Sequence, residues 1–290
     1  MPRHEGRYMK EKRFDFGEFL LAAIKCAGYY GVYTLAAIAC YAVFGAIIGL
    51  SGAIEETEAL IEKNAITLSL MANALFLLIV AVFYNNKSHY SSFGERLKTE
   101  PLHPKAVTYI FSLAICAIMA VQIVDVIPFP TKWVEMAYKN GDMIISASPA
   151  IQILTVAVMA PLTEEVLFRG LMLGALSKTC NKWVAIIATA IVFGAVHGHP
   201  IGIIYASCLG VLLGWIYIKT GSIIAPILFH TVYNFASLFF PVPNSVLTVI
   251  VIAVIGFAIG AVCVVNMARL PAVKKKTQNK DDGDSSTGLQ

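Results

Sequence analysis

Residues 148–173, with the sequence SPAIQILTVAVMAPLTEEVLFRGLML, decide how this chain folds. The stretch is mostly apolar and long enough to cross the roughly 30 Å hydrocarbon core of a bilayer, yet it contains Glu164, Glu165 and Arg169. A charged side chain at the centre of a membrane helix costs about 2.5–3.5 kcal/mol on insertion scales, so such groups face a protein interior or a water-filled cavity. The stretch therefore predicts a membrane-spanning helix that carries a polar site at mid-depth.

Apolar stretches of similar length recur along the chain, which is 58% hydrophobic and only 14% charged. Typical soluble domains carry about 25% charged residues. The sequence therefore predicts an all-α fold, a polytopic transmembrane bundle of about eight helices with an intramembrane cavity. The predicted spans are residues 26–50, 65–83, 106–127, 148–173, 183–197, 202–218, 223–240 and 245–265. Seven spans is the alternative, because the fifth and sixth are short and are joined by a Gly-His-Pro turn.

The distribution of basic residues predicts the orientation in the membrane. With the N-terminus inside, seventeen of the 22 lysines and arginines fall in cytoplasmic segments, and the outside loops hold three. The prediction is an integral, multi-pass protein with both termini cytoplasmic. Its parts are a cytoplasmic N-terminal segment (1–25), N-terminal transmembrane helices (26–150), a core with the polar motifs (151–240), a last transmembrane helix (241–268) and a disordered cytoplasmic tail (269–290).

Charge and cysteine patterns exclude two classes of function. The basic residues lie at the chain ends and in loops and form no basic face, so no nucleic-acid partner is expected. The six cysteines are scattered, without CxxC spacing, and indicate neither a disulfide framework nor a cysteine zinc site. The partner that the composition does indicate is the lipid bilayer.

The charged residues of the fourth predicted span differ in their local partners. Glu165 and Arg169 are four residues apart and share one helical face, where a carboxylate and a guanidinium can pair. Glu164 lies about 100° around the helix from Glu165, so Arg169 is not its obvious partner. A carboxylate without a local partner at membrane depth is a candidate functional group.

Two further predicted spans carry polar motifs, FGAVH ending at His197 and HTVYN from His230 to Asn234. Hydrolysis of a peptide needs a base that activates water, which Glu and His can supply, and donors that stabilise the oxyanion, which His and Asn can supply. Glu164, His197 and His230 could alternatively form a two-histidine, one-carboxylate zinc site. Because the histidines lie on separate helices and no HExxH motif is present, the metal-free interpretation is preferred.

Together these residues resemble the CAAX-protease and bacteriocin-processing family, which includes the Ras-converting type II CAAX prenyl endopeptidases. The family motifs EExxxR, FxxxH and HxxxN occur here in order, at 164–169, 193–197 and 230–234. The resemblance implies an intramembrane endopeptidase that acts on a membrane-associated or prenylated polypeptide. It also implies that Glu164 and His197 activate the water, that His230 and Asn234 form the oxyanion hole, and that Glu165 and Arg169 support the site.

Two other functions are compatible with the same residues. One is a non-proteolytic membrane scaffold or bacteriocin self-immunity factor with the same fold, because some members of this family do not need protease activity. The other is a proton-coupled transporter, since intramembrane carboxylates and histidines also form proton relays. The linear arrangement places His197 nearer the outer surface than Glu164. For the two to meet, the fifth span must tilt or begin earlier, or Pro161 must break the fourth.

Overall fold

A computed structural model describes residues 15–51, 57–85, 97–240 and 243–271 of the chain. Within these ranges the protein is helical, without a strand, which confirms the all-α prediction. The described helices are α1 (Phe16–Ser51), α2 (Thr57–Asn85), α3 (Pro104–Val121), α4 (Thr131–Ile145), α5 (Pro149–Leu176), α6 (Lys182–Ala195), α7 (Pro200–Thr220), α8 (Ile224–Ser237) and α9 (Val246–Arg269).

All eight predicted spans are helical, but they differ in length. Six helices are long and apolar enough to cross a membrane: α1, α2, α3 with its extension to Val126, α5, α7 and α9. Helices α6 and α8 have 14 residues each, or about 21 Å at 1.5 Å per residue, which is less than the thickness of the hydrocarbon core. Eight crossings therefore remain a prediction, and so does the cytoplasmic position of the termini.

Two elements differ from the sequence-based expectation. Helix α1 begins at Phe16, so part of the predicted N-terminal segment continues the first helix. Helix α4 occupies what was predicted to be an outside loop; its apolar residues alternate with polar ones and none is buried, so it has no long apolar run to reveal it. Residues 1–14 of the N-terminal segment and 272–290 of the predicted disordered tail lie outside the described residues.

Helices α6 and α7 form a tight antiparallel hairpin beside α5. The turn between them contains Gly198 in a left-handed conformation, at φ +75°, which favours glycine. A Cβ on Gly194 would meet the Ser207 hydroxyl and would lie 2.6 Å from the Ile203 carbonyl oxygen. A Cβ on Gly210 would lie 3.0 Å from Ala190. Small residues therefore bring the two backbones together, as they commonly do in membrane helix pairs.

Helix α5 is continuous through Pro161, so the proline does not break it. Instead, the helix widens into π-helical turns at Ile153–Met159 and again at Val166–Leu173, on either side of the two glutamates. The depth difference between Glu164 and His197 is reduced to about 4 Å because α5 continues to Leu176 while α6 begins at Lys182. At 1.5 Å per residue, Glu164 lies about 18 Å and His197 about 22 Å from these connected helix ends.

Candidate active site

The centre of the site is a buried ion pair within α5. Arg169 Nη1 lies 2.8 Å from Glu165 Oε1, and both side chains are almost completely inaccessible to solvent. The pairing expected from their spacing is therefore confirmed. Burial excludes water from both charges, so each must find its partners inside the protein.

Arg169 also connects α5 to the α6–α7 hairpin. Its Nη2 donates to the Gly210 carbonyl oxygen at 3.0 Å, and its guanidinium carbon lies 4.6 Å from the centre of the Phe193 ring. The first contact is with α7 and the second with α6. One arginine thus fixes three helices relative to one another through a hydrogen bond, an ion pair and a cation–π contact.

His230 brings α8 to the two glutamates. Its Nδ1 lies 2.8 Å from Glu165 Oε1, and its Nε2 lies 3.8 Å from Glu164 Oε2. An ionised carboxylate only accepts hydrogen bonds, so Nδ1 donates to Glu165 and Nε2 is the atom directed to Glu164. Glu165 is fully buried, whereas the side chain of Glu164 is 28% exposed. The two adjacent glutamates therefore have different surroundings, with Glu164 being the one accessible from outside the protein core.

His197 is oriented by its own helix. Its Nδ1 lies 2.8 Å from the Phe193 carbonyl oxygen, which only accepts, so Nδ1 carries the proton in this bond. In the neutral ring Nε2 is then an acceptor, suited to take a proton or to bind a cation. The Phe193 ring contacts both histidines, with ring centres 5.0 Å from His197 and 5.9 Å from His230. Phe193 therefore separates the two imidazoles and orients both.

The remaining predicted residue, Asn234, has a structural partner. Its Nδ2 donates to the Val156 carbonyl oxygen of α5 at 2.8 Å. The structure thus brings Glu164, Glu165, Arg169 and His230 into one polar network, places His197 beside it across Phe193, and attaches Asn234 to the backbone of α5. Within the part of the chain that is described, no hydrogen bond joins His197 to Glu164 or Asn234 to His230.

One tyrosine beside the site was missed by the sequence reasoning. The ring centre of Tyr205, on α7, lies 6.3 Å from that of His197 on α6. No motif in the sequence marks Tyr205, so only the packing of α7 against α6 reveals it.

An apolar cavity of about 540 Å³ adjoins the site. It lies between α3, α7 and α9, and its lining includes Tyr205, whose ring centre is 6.3 Å from that of His197. The glutamates and histidines do not line it. This cavity is therefore a hydrocarbon-like space beside the polar network, and the intramembrane cavity expected around the motif residues stays a prediction.

The alternative zinc ligands do not form a metal site in this arrangement. Among the described residues, no three His, Cys, Asp or Glu side chains converge as a metal site requires. His230 uses Nδ1 for Glu165, and Glu164 is its neighbour at Nε2. Nδ1 of His197 and of His230 is held by a carbonyl or a carboxylate, as is also usual in zinc-binding histidines, so the zinc and the metal-free interpretations both stay predictions.

Comparisons with known proteins point to the segment that contains these residues. Residues 146–236 match the family described as type II CAAX prenyl endopeptidase Rce1-like. The "Putative membrane peptidase YdiL" of Bacillus subtilis (strain 168) is 29% identical over 91 residues, which is 31% of this chain and 37% of that protein. An "Uncharacterized 24.3 kDa protein" of Escherichia coli is 32% identical over 85 residues, 28% of this chain and 39% of that protein. The match thus spans less than two fifths of each relative's length, and no solved structure matches the chain.

Proposed function

We propose that this chain, whose residues 146–236 match the Rce1-like family, is a membrane-embedded endopeptidase that cleaves a membrane-associated polypeptide with an activated water molecule. The observation that carries the proposal is the contrast between the two glutamates. Glu165 is buried and bound by Arg169 and His230, whereas Glu164 is partly exposed beside His230 Nε2. A buried carboxylate held by two partners beside an accessible one is suited to a site in which only the accessible one reacts.

In the proposed reaction, the Glu164 carboxylate accepts a proton from water, with His197 as the second base. The hydroxide adds to the carbonyl carbon of the substrate, and the resulting oxyanion is stabilised by donors. His230 Nε2 is one donor. Because Nδ1 already carries the proton shared with Glu165, Nε2 can donate only when both ring nitrogens carry a proton, as in imidazolium. Asn234, the other donor that the resemblance implies, is bound through Nδ2 to the Val156 carbonyl oxygen, and this proposal gives it no contact with the oxyanion. The C–N bond then breaks, and the abstracted proton passes to the leaving amine.

We propose that Glu165 and Arg169 act by orienting His230 and do not touch the substrate. Their ion pair is inaccessible to solvent, and Arg169 is held by Gly210 and Phe193. A rigid network of this kind keeps His230 in place while charge develops during the reaction. No metal ion takes part in this mechanism.

The surroundings of the site support a proposal for the substrate class. The adjoining cavity has a nearly pure hydrocarbon lining and is large enough for a sizeable part of a lipid chain. We therefore propose a substrate polypeptide that is lipid-modified, for example prenylated, and that presents its peptide bond to Glu164 from the bilayer.

The test is cleavage of a panel of prenylated and unmodified peptides by the purified protein, with products identified by mass spectrometry and with a chelator added in parallel. We expect cleavage, faster for lipid-modified peptides and unchanged by the chelator. Loss of cleavage with chelator and recovery with zinc would replace the water-activating mechanism by a metal-dependent one. A folded protein that cleaves nothing on the panel would favour the scaffold or self-immunity function, and proton-coupled flux in proteoliposomes would identify a transporter.

A further inference from the structure

The backbone of α5 contains a carbonyl group that the helix itself does not satisfy. In the π-helical segment the Ala160 N–H donates to the Thr155 carbonyl, five residues back. In the same register, the Val156 carbonyl would receive the N–H of residue 161. Residue 161 is proline, which has no N–H, so the hydrogen bond is missing at this position.

Asn234 supplies the missing donor. Its Nδ2 lies 2.8 Å from the Val156 carbonyl oxygen, although the two residues are 78 positions apart in the sequence. Buried backbone carbonyls are almost always hydrogen-bonded, and this side chain replaces the proline's absent N–H. Pro161 thus leaves the Val156 carbonyl without its helical donor, and Asn234 donates to that carbonyl instead.

We propose that Asn234 is a positioning residue that sets the distance between His230 and Glu164 by fastening α8 to α5 at the carbonyl left free by Pro161. Asn234 is one helical turn after His230, and Pro161 is just under one turn before Glu164. The bond therefore lies beside the 3.8 Å gap between His230 Nε2 and Glu164 Oε2. This inference rests on the proposed function only where it concerns catalysis. The replacement of the missing N–H of Pro161 by the Asn234 amide does not depend on that function.

The inference makes a prediction that oxyanion binding by Asn234 does not make. If the essential contact of Asn234 is with Val156, then a backbone N–H at residue 161 should make the asparagine dispensable. Pro161→Ala restores that N–H. If Asn234 acts instead through its contact with the substrate, restoring the N–H should change nothing.

The experiment is a double-mutant cycle of Asn234→Ala and Pro161→Ala in the full-length protein. It has two readouts, the midpoint of thermal unfolding and the steady-state kinetics of peptide cleavage. Asn234→Ala in the wild-type background leaves a partly buried acceptor unpaired and should lower kcat about tenfold, the effect of losing one such hydrogen bond, with KM changing less than about twofold. In the Pro161→Ala background the same substitution should change kcat less than about twofold, and the loss of thermal stability should be recovered in parallel.

The control is Asn266→Ala. Asn266 donates to the Val262 carbonyl at 2.9 Å within exposed α9, a bond of the same kind without a proline in register. Its effect should be the same in both backgrounds. Rescue of Asn234→Ala by Pro161→Ala supports the inference, including the case in which only the double variant folds. Additive effects in both readouts, or a double variant that fails to fold as the single one does, would overturn it. The midpoints of thermal unfolding test the relation between Asn234 and Pro161 even if no peptide is cleaved. Failure of this inference can therefore be distinguished from failure of the proposed function.

Discussion

Replacing Arg169 with methionine should destabilise the protein more than any surface change, because three contacts disappear together. The substitution removes the ion pair with Glu165, the donor to the Gly210 carbonyl and the charge over Phe193. It leaves the Glu165 carboxylate fully buried with His230 as its remaining hydrogen-bond partner. Breaking a buried pair from one side costs about 3–5 kcal/mol, most of it from the charge left without its partner.

The effect of the unpaired Glu165 charge can be separated from the loss of packing by removing that charge as well. In the double variant Glu165→Gln/Arg169→Met, the amide oxygen of the new side chain can still accept from His230 Nδ1, and no charge is left unpaired. Replacing both members of a buried pair is often close to neutral. The double variant should therefore recover most of the stability that Arg169→Met loses, even though it differs more from the wild type.

Thermal unfolding in detergent, followed with a thiol-reactive dye, measures both effects, since Cys116 and Cys263 are buried and free and become reactive on unfolding. Lys139→Met is the matched control. Lys139 lies 3.8 Å from Glu62 in an exposed pair, and such pairs contribute about 0–1 kcal/mol. A stability of Arg169→Met within about 1 kcal/mol of the control, or a double variant no more stable than the single one, would refute this reasoning.

Three further perturbations test the helix packing, the cavity and the second base. Gly194→Ala should destabilise the protein by about 1–3 kcal/mol because its Cβ would overlap Ser207. Gly141→Ala should not, because its Cβ would have no neighbour within 4 Å. Equal midpoints of thermal unfolding for the two variants would contradict this prediction. Ala261→Phe fills part of the apolar cavity and should raise KM for prenylated peptides but not for unmodified ones, so equal changes for both would count against the cavity as a lipid site. His197→Phe keeps an aromatic ring beside Phe193 but removes the acceptor, and should lower kcat about 10²–10⁴-fold in single-turnover assays without loss of folding; undiminished turnover would remove His197 from the mechanism.

The sequence predicted those features that depend on local periodicity or composition. Long apolar runs identified all eight helices that carry the bundle, and the four-residue spacing of Glu165 and Arg169 predicted their ion pair. The 100° offset of Glu164 predicted that it would be separate from this pair, and the structure leaves it partly exposed beside His230. Helix α4 was missed because an amphipathic helix has no long apolar run.

What the sequence did not predict depends on register or on distant packing. A break of α5 at Pro161 was one of three ways in which Glu164 and His197 could meet; instead, a shift to π-helical hydrogen bonding accommodates the proline, and no propensity of the neighbouring residues signals that shift. The bond between Asn234 and Val156 exists only because of this register, so the spacing of Asn234 from His230 could not reveal it. Tyr205 lies beside His197 from a neighbouring helix, and this proximity follows only from the assembled bundle. The roles of Glu164, His197, His230 and Asn234 in catalysis remain predictions.

The central claim, that Glu164 activates the attacking water, is tested most directly by the cleavage rate of Glu164→Gln relative to Glu135→Gln. Both substitutions replace a carboxylate with an amide of the same shape, one in the site and the other on the exposed face of α4. With the best peptide of the panel, we predict that Glu164→Gln retains its fold and KM but loses measurable cleavage, while Glu135→Gln cleaves at the wild-type rate. Cleavage by folded Glu164→Gln at a rate comparable to that of Glu135→Gln would contradict the mechanism.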